Sequence, residues 1–500
     1  MAWEGKNPVL CALAAAMIAV SVLAIGPAPA NGAAVVPCPF SQTTSMRVLS
    51  SSMPRVLNPC PGGEWAKVFG GYENATAFDV LPTNDGGYAV LGEIRPANRN
   101  FEIWLLKLNA TGVVEWQYFY GGTGVERPYQ IRQTADGGYA VLGWTDSFGA
   151  GGVDAWFLKL DASGGIEWQK AYGGAGTDIA SGFQLTSDGG YILVGYSNSH
   201  NPGKEYWYSI DAWIIKLDSA GNVVWQKAFG RNHTSKGWHE CFNSVQQTSD
   251  GGYIVAGSGT LWQSGGFVPS TWLVKLNDVG TLVWQKFYGV GSGGQLCGGW
   301  NYMANNPDVL ITADGGYLVN PVYFYGPEAT DGYAMKVDSS GKVQWRMAYG
   351  TSLEEWFVSE DVVTSDGGYV FTGLLRDSGG VNHPWVVRTD AGGNVLWQAT
   401  YGMSVGNANG MAGRVDPSGG IVLAGTWVGR GLTVMKIWGT GNPGACDDLT
   451  IGLGSDAVQR SSTVRPTKGT AGATIPSATA TNTAATPLAS SAQESQLCTS

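Results

Sequence analysis

Thr248-Ser-Asp-Gly-Gly-Tyr-Ile-Val-Ala-Gly257 is the stretch on which the fold turns. Asp-Gly-Gly supplies the positive φ that a tight hairpin needs. The apolar run behind it reads as a strand covered on both faces. The core of this stretch, Asp-Gly-Gly-Tyr, occurs six times, beginning at Asp85, Asp136, Asp188, Asp250, Asp314 and Asp366. A seventh, degenerate copy is Pro417-Ser-Gly-Gly-Ile421. Successive Asp positions differ by 51, 52, 62, 64 and 52 residues, and Gly367 to Gly419 is a further 52. A fixed period of this size means stacked, similar supersecondary units.

Each unit parses into four strands. In the third, Ser181 to Thr186 runs into the Asp188 turn and Tyr191 to Gly195 leaves it. Asp211 to Leu217 follows, then the turn Asp218-Ser-Ala-Gly221, then Val223 to Phe229. No segment of the repeats keeps a helical period. Four strands taken seven times predict an all-β, seven-bladed β-propeller of antiparallel blades. A Trp recurs in the fourth strand (Trp65, Trp116, Trp168, Trp225, Trp284, Trp345, Trp397) and another in the third (Trp104, Trp156, Trp213, Trp272, Trp385, with Tyr333 in one blade). Such regular placement predicts packing between blades.

The phase of the repeat predicts how the ring closes. Trp65 to Phe69, the first recognisable strand, is of the fourth type, and Leu432 to Trp438, the last, is of the third. The N-terminal strand should therefore complete the last blade. Cys60 and Cys446 flank that junction and are expected to form a disulfide there.

Composition agrees with a covered all-β ring. The chain has 75 Gly and 21 Trp, with only 14% charged and 44% hydrophobic residues. A net charge of −10 offers no basic stripe, which excludes nucleic acid and an electrostatic hold on anionic lipid. Lys6, the apolar run Val9 to Ile25 and Ala28-Pro-Ala30 read as a secretory signal peptide over 1–30, against the alternative of an uncleaved anchor. After cleavage no membrane span is expected. The expected location is outside the cell, at its surface, or in a periplasm. Six cysteines then remain, none in a C-x-x-C pair, so disulfides are expected and zinc is not. Residues 31–62 form a Cys-containing segment, 63–440 the propeller, and 441–500 a Ser/Thr/Ala/Pro-rich tail expected to be disordered. Sequons stand at Asn74, Asn109 and Asn232, and Asn109 also opens an Asp-x-x-Gly-type turn.

These repeats resemble the DGGY-type, or delta-60-repeat, propeller proteins. The likeness lies in Thr248 to Gly257, in the Asp-Ala-Trp-x-x-Lys-Leu-Asp strand and in Trp168-Gln-Lys-Ala-Tyr-Gly-Gly174, and covers roughly residues 63–440. It implies the fold and export, and no activity. Lys159-Leu-Asp-Ala-Ser-Gly-Gly-Ile-Glu-Trp168 is also similar to the docking repeat of pyrroloquinoline-quinone propellers. The adjacent cysteines typical of quinone alcohol dehydrogenases are absent, so no cofactor is expected.

Strand connectivity sorts the loops. Turns after strands one and three share one face; all the large length variation falls on the other, where function concentrates. The long loops between Asp188 and Asp314 carry the candidate ligand-binding residues His233, Trp238, His239, Glu240, Trp300 and Tyr302, with Cys241 and Cys297 as a candidate staple. Alternate residues of the inner strands should line the axial channel: Asp79, Gln130, Arg132, Gln184, Ser244, Gln246, Asp308, Glu360 and Arg414. No G-x-S-x-G elbow, H-E-x-x-H helix or calcium loop occurs, so no catalytic residue and no metal site is assigned. The reading is a monomeric binding scaffold for an extracellular glycan or protein. The alternative is an exported propeller enzyme such as a hydrolase, lyase or quinoprotein.

Overall fold

The structure is a computed structural model. It describes residues 65–437 except 70–74, 96–99, 200–209, 231–239, 264–265, 290–306, 321–331, 351–352, 358–361, 404–407 and 428–430, with four short strands beyond. The chain is a seven-bladed β-propeller of four-stranded antiparallel blades. Blade two shows the pattern: inner strand Glu126–Gln133, then Tyr139–Thr145, then Asp154–Leu160, then outer strand Ile166–Tyr172. The second and third strands are buried along their whole length, as a sheet sandwiched between neighbours requires.

Blade seven contains both ends of the ring. Its inner three strands are Ala408–Val415, Ile421–Trp427 and Gly431–Ile437; its outer strand is Trp65–Phe69, antiparallel to the third from Trp65↔Lys436 to Phe69↔Leu432. The clasp expected from the repeat's phase is thus present. Cys60 and Cys446 lie outside the described residues. In the tail, Leu449–Gly452, Arg460–Ser461, Leu488–Ala489 and Glu494–Ser495 pair with the outer strands of blades six, five, two and one. An outer strand leaves one row of backbone groups open to such pairing.

Each residue of the Asp-Gly-Gly turn has a separate physical reason. Gly86 has φ +81°, a conformation costly to side chains. A Cβ on Gly87 would stand 2.2 Å from Leu108 O. Asp85 accepts from Thr83 Oγ1 at 2.5 Å and Gly87 N at 3.0 Å, and pairs with Lys107 of the third strand at 2.7 Å. The same acid–base pair recurs as Asp136–Lys159, Asp188–Lys216, Asp250–Lys275, Asp314–Lys336 and Asp366–Arg388. Blade seven exchanges two positions. Asp416 takes the place of the usual Thr and Ser418 the place of the usual Asp, yet Asp416 still meets Lys436, at 2.7 Å.

The outer-strand tryptophans join blades. Trp65, Trp116, Trp168, Trp225, Trp284 and Trp345 each pack on the repeat Tyr of the following blade, with ring centroids 5.6 to 6.3 Å apart. Blade seven has Ile421 in place of Tyr, and Trp397 packs in the cluster containing it. Such aromatic pairs contribute ~0.5–1.5 kcal/mol each beyond area burial. The glycine of the next blade's outer turn fits under the same indole: a Cβ on Gly221 would be 2.7 Å from Trp168. Asn109 anchors its own turn, accepting from Thr111 N and Val113 N.

Candidate functional site

The inner strands are the edge strands that face the axis, and their outward N–H groups need partners. Side chains of the preceding blade supply them. Four residues before the turn Thr, Asp79 accepts from Ile131 N at 3.1 Å and Gln130 from Phe183 N at 2.9 Å. Two residues before it, Gln184 accepts from Gln247 N, and Gln246 from Ile311 N at 2.9 Å. The polar lining is therefore first a set of bonds from blade to blade. A β-bulge just ahead of Asp79, Gln130, Gly182 and Ser244 sets the orientation of these residues. Gly182 stands where a polar side chain stands elsewhere, because a Cβ there would lie 2.1 Å from Asn243 O.

Six of the residues read as channel-lining come together in one cavity of about 100 Å³: Gln130, Arg132, Gln184, Ser244, Gln246 and Asp308. Phe183 and Val245 complete the wall. Their contribution was missed because strict alternation assigns them away from the axis. Asp308 is buried and accepts from Val309 N at 2.8 Å and from Ser244 Oγ. Asp79 and Arg414 are placed differently. The Asp79 carboxylate is 3% exposed and lies between two guanidiniums, Arg132 and Arg414, at 3.0 Å each. It is a tie between blades seven, one and two. Glu360 lies outside the described residues.

The cavity sits toward the short-turn end of the inner strands, since Gln184 is two residues from Thr186 at that end of Asp178–Leu185. Of the long-loop candidates, His233, Trp238, His239, Trp300 and Tyr302 lie outside the described residues. Glu240 is 3% exposed, its N donating to Ile210 O at 3.3 Å. It stands eight residues before the turn Thr, as do Glu126 and Asp178 in the two preceding blades.

At those two positions the acid pins the loop from the preceding blade. Glu126 accepts from Gly122 N and Thr145 Oγ1, both at 3.0 Å, and from Ser147 Oγ. Asp178 accepts from Gly174 N at 2.7 Å, from Ser199 Oγ at 2.5 Å and from Ser197 Oγ. The spacing Tyr-Gly-Gly-x-Gly-x-acid in both blades is the sequence signal for this role. Burial raises the Glu126 carboxyl, against the hydrogen bonds it receives.

A second acid meets the first. Asp154 and Asp178 are both fully buried and flank Gly173, whose Cβ would be 1.7 Å from Asp154 Oδ1 and 2.9 Å from Asp178 Oδ2. Burial, with the Asp178 charge adding to it, pushes Asp154 up to about 6. Burial likewise pushes Glu93 up to about 7, opposed by Arg127 at 3.4 Å. Asp154 and Asp178 have no exposed surface on which to meet a substrate, so their role as packed is structural. Among the described residues no group of three or more His, Cys, Asp or Glu could hold a metal, and no helix is long and apolar enough to cross a membrane.

No protein-family model and no curated protein matches the chain. Among solved structures it is similar to a xylan β-1,4-xylosidase from Bacillus halodurans C-125, at 10% identity and TM-score 0.29 over 75% of this chain and 98% of that one. It is similar to a mutant puromycin hydrolase, at 12% and 0.39 over 72% and 53%. A mutant apocarotenoid oxygenase from Synechocystis gives 12% and 0.33 over 66% and 90%. Likenesses this distant assign no chemistry to the chain.

Proposed function

We propose that this chain is an exported propeller that binds its ligand without transforming it, and that the ligand is a glycan. One observation carries this reading: the axial cavity is walled by amides and a hydroxyl, from Gln130, Gln184, Gln246 and Ser244, with Arg132 and Asp308 at its sides. Such groups offer both donors and acceptors to hydroxylated solutes. Export is supported by Lys6, the apolar run to Ile25 and the Ala28-Pro-Ala30 site. It is supported too by the even count of six cysteines that remain after residue 30, of which Cys241 is buried. Cys297 is its proposed partner, and Cys60 is proposed to pair with Cys446 across the clasp.

The test is a glycan array probed with the full chain, beside a screen of glycoside and ester substrates. Retention on defined glycans without turnover is the expected result. Turnover that disappears in Glu240→Gln or Glu360→Gln would replace this reading with an exported enzyme.

A further inference from the structure

We infer that the C-terminal tail is a belt around the rim of the ring: residues 467–475 add a fifth strand to blade four, and residues 477–486 add one to blade three.

The first support is order. Four short tail strands lie beyond outer strands, each antiparallel to its partner: Leu449–Gly452 on blade six, Arg460–Ser461 on blade five, Leu488–Ala489 on blade two and Glu494–Ser495 on blade one. Along the chain they descend the ring as six, five, two, one. The blades passed over are four and three, and residues 462–487 fall in that gap. The steps from six to five and from two to one take residues 453–459 and 490–493. Three steps of that size, from five to two, still leave enough of 462–487 for two strands of the length seen on the other blades. The four contacts also share one place. Thr400, Ala348, Ala171 and Phe119, each three residues after the Trp of its strand, pair with the tail. Ala228 holds that place in blade three.

The second support is the edge itself. Among the described residues no strand lies beyond Val223–Phe229 of blade three or Leu282–Gly289 of blade four. A sheet edge of this kind is a template for an extended segment. These two edges are apolar as well. Val224 and Val283 are 60% and 59% exposed, where blades one, two and five carry Glu115, Glu167 and Gln344. Blade six, with Leu396 at that place, carries the longest of the four tail strands.

The third support is composition. Pro466, Pro476 and Pro487 divide the segment into 467–475 and 477–486. Proline has no N–H to give a ladder and belongs at strand ends. The prolines thus mark connections, and two proline-free stretches answer two edges. Both stretches are rich in Thr, a strand former, and Lys468 is their sole charge. An added edge strand bonds through its main chain, so small side chains suffice.

Hydrogen–deuterium exchange of the full chain tests this, with the paired residues Thr400 to Met403 of blade six as an internal reference. Both tail stretches should exchange about tenfold or more slowly than an unstructured segment. Thr470→Pro with Ala471→Pro removes a ladder donor whichever of the two residues faces the blade. It should speed exchange about tenfold at 467–475 and at Leu282–Gly289, leaving the inner strands unchanged. Thr481→Pro with Asn482→Pro should do the same at 477–486 and at Val223–Phe229. Free exchange throughout 462–487 in the parent protein would overturn the belt. So would edges that keep their protection in both proline variants, because another segment would then cover them. Protection that appears only as a dimer forms, followed by light scattering across concentration, would give these edges to a second copy's tail and overturn it too.

Discussion

The two ends of blade two use the same amino acid in opposite ways. At the short-turn end, Asp136 meets the Lys159 ammonium at 2.8 Å and the Thr134 hydroxyl, and these hold its carboxyl down to about 2. At the loop end, Asp154 meets burial and a second carboxylate, and rises to about 6. One acid is stabilised ionised and the other protonated, within a single four-stranded sheet. The turn end is a matched electrostatic joint, repeated around the ring. The loop end is a mismatched one, held because the loop's own N–H and hydroxyl groups bond the acids. A blade can thus be uniform where its turns are uniform and carry unfavourable charge where its loops vary.

The largest expected effect comes from making the turn end resemble the loop end. Lys159→Glu would place a third carboxylate beside Asp136 and Glu167, both of which now bond the lysine. Lys159 is buried but both acids are about half exposed, so solvent screens part of the ~3–5 kcal/mol that breaking a fully buried pair costs, and urea denaturation at pH 7 should show a loss of about 2–4 kcal/mol. The loss should shrink on acidification. A variant as stable as the parent would show that the joint is decorative.

Relieving the loop end should act in the opposite direction and more weakly. Asp154 and Glu93 hold protons more tightly folded than unfolded. Their stabilising effect is complete below their ordinary values of 3.8 and 4.5 and is lost as pH rises through about 6 and about 7. The Asp136-type acids behave conversely: their contribution is present above 3.8 and is lost as pH falls toward about 2. Thermal midpoints should therefore peak near pH 4 to 5 and decline on both sides. Asp154→Asn mimics the protonated acid and should stabilise by about 1–3 kcal/mol at pH 8 while changing little at pH 4. A midpoint that climbs steadily to pH 8 would refute the mismatch.

Smallest is the exchange in blade seven. Asp416→Thr with Ser418→Asp restores the arrangement of the other blades and should stay within about 1 kcal/mol of the parent. Asp416→Thr alone removes the partner of Lys436 and the acceptor of Tyr88 Oη at 3.0 Å. The single variant should therefore be the less stable of the two by thermal melting.

The turn end was legible in the sequence because its chemistry is local. Asp, two glycines and Tyr sit within four residues, and a Lys or Arg recurs three residues after the third-strand Trp or Tyr. Ring closure was legible from phase alone, since Trp65 to Phe69 is the first recognisable strand of the repeat and is of the outer type. The loop end was harder. Asp154 and Asp178 belong to different blades and flank Gly173 only once the blades stack. Glu240 read as a loop residue because the insertion before it hid its spacing of eight from Thr248. The channel was legible by alternation, yet alternation could not say that Asp79 would lie between two arginines from flanking blades.

The clasp has a consequence in time. A ribosome delivers Trp65–Phe69 before any other strand of the ring, and its partner Leu432–Lys436 emerges roughly 370 residues later. Until then blade seven has no outer strand and the first strand has no sheet. Every other blade joins residues close in sequence and can form as it appears, whereas this one waits for a contact of the longest range in the domain. The ring should therefore assemble quickly as an open arc and close in one late step. A nascent chain stalled before Leu432 would hold six blades and a loose end, a natural substrate for chaperones or proteases.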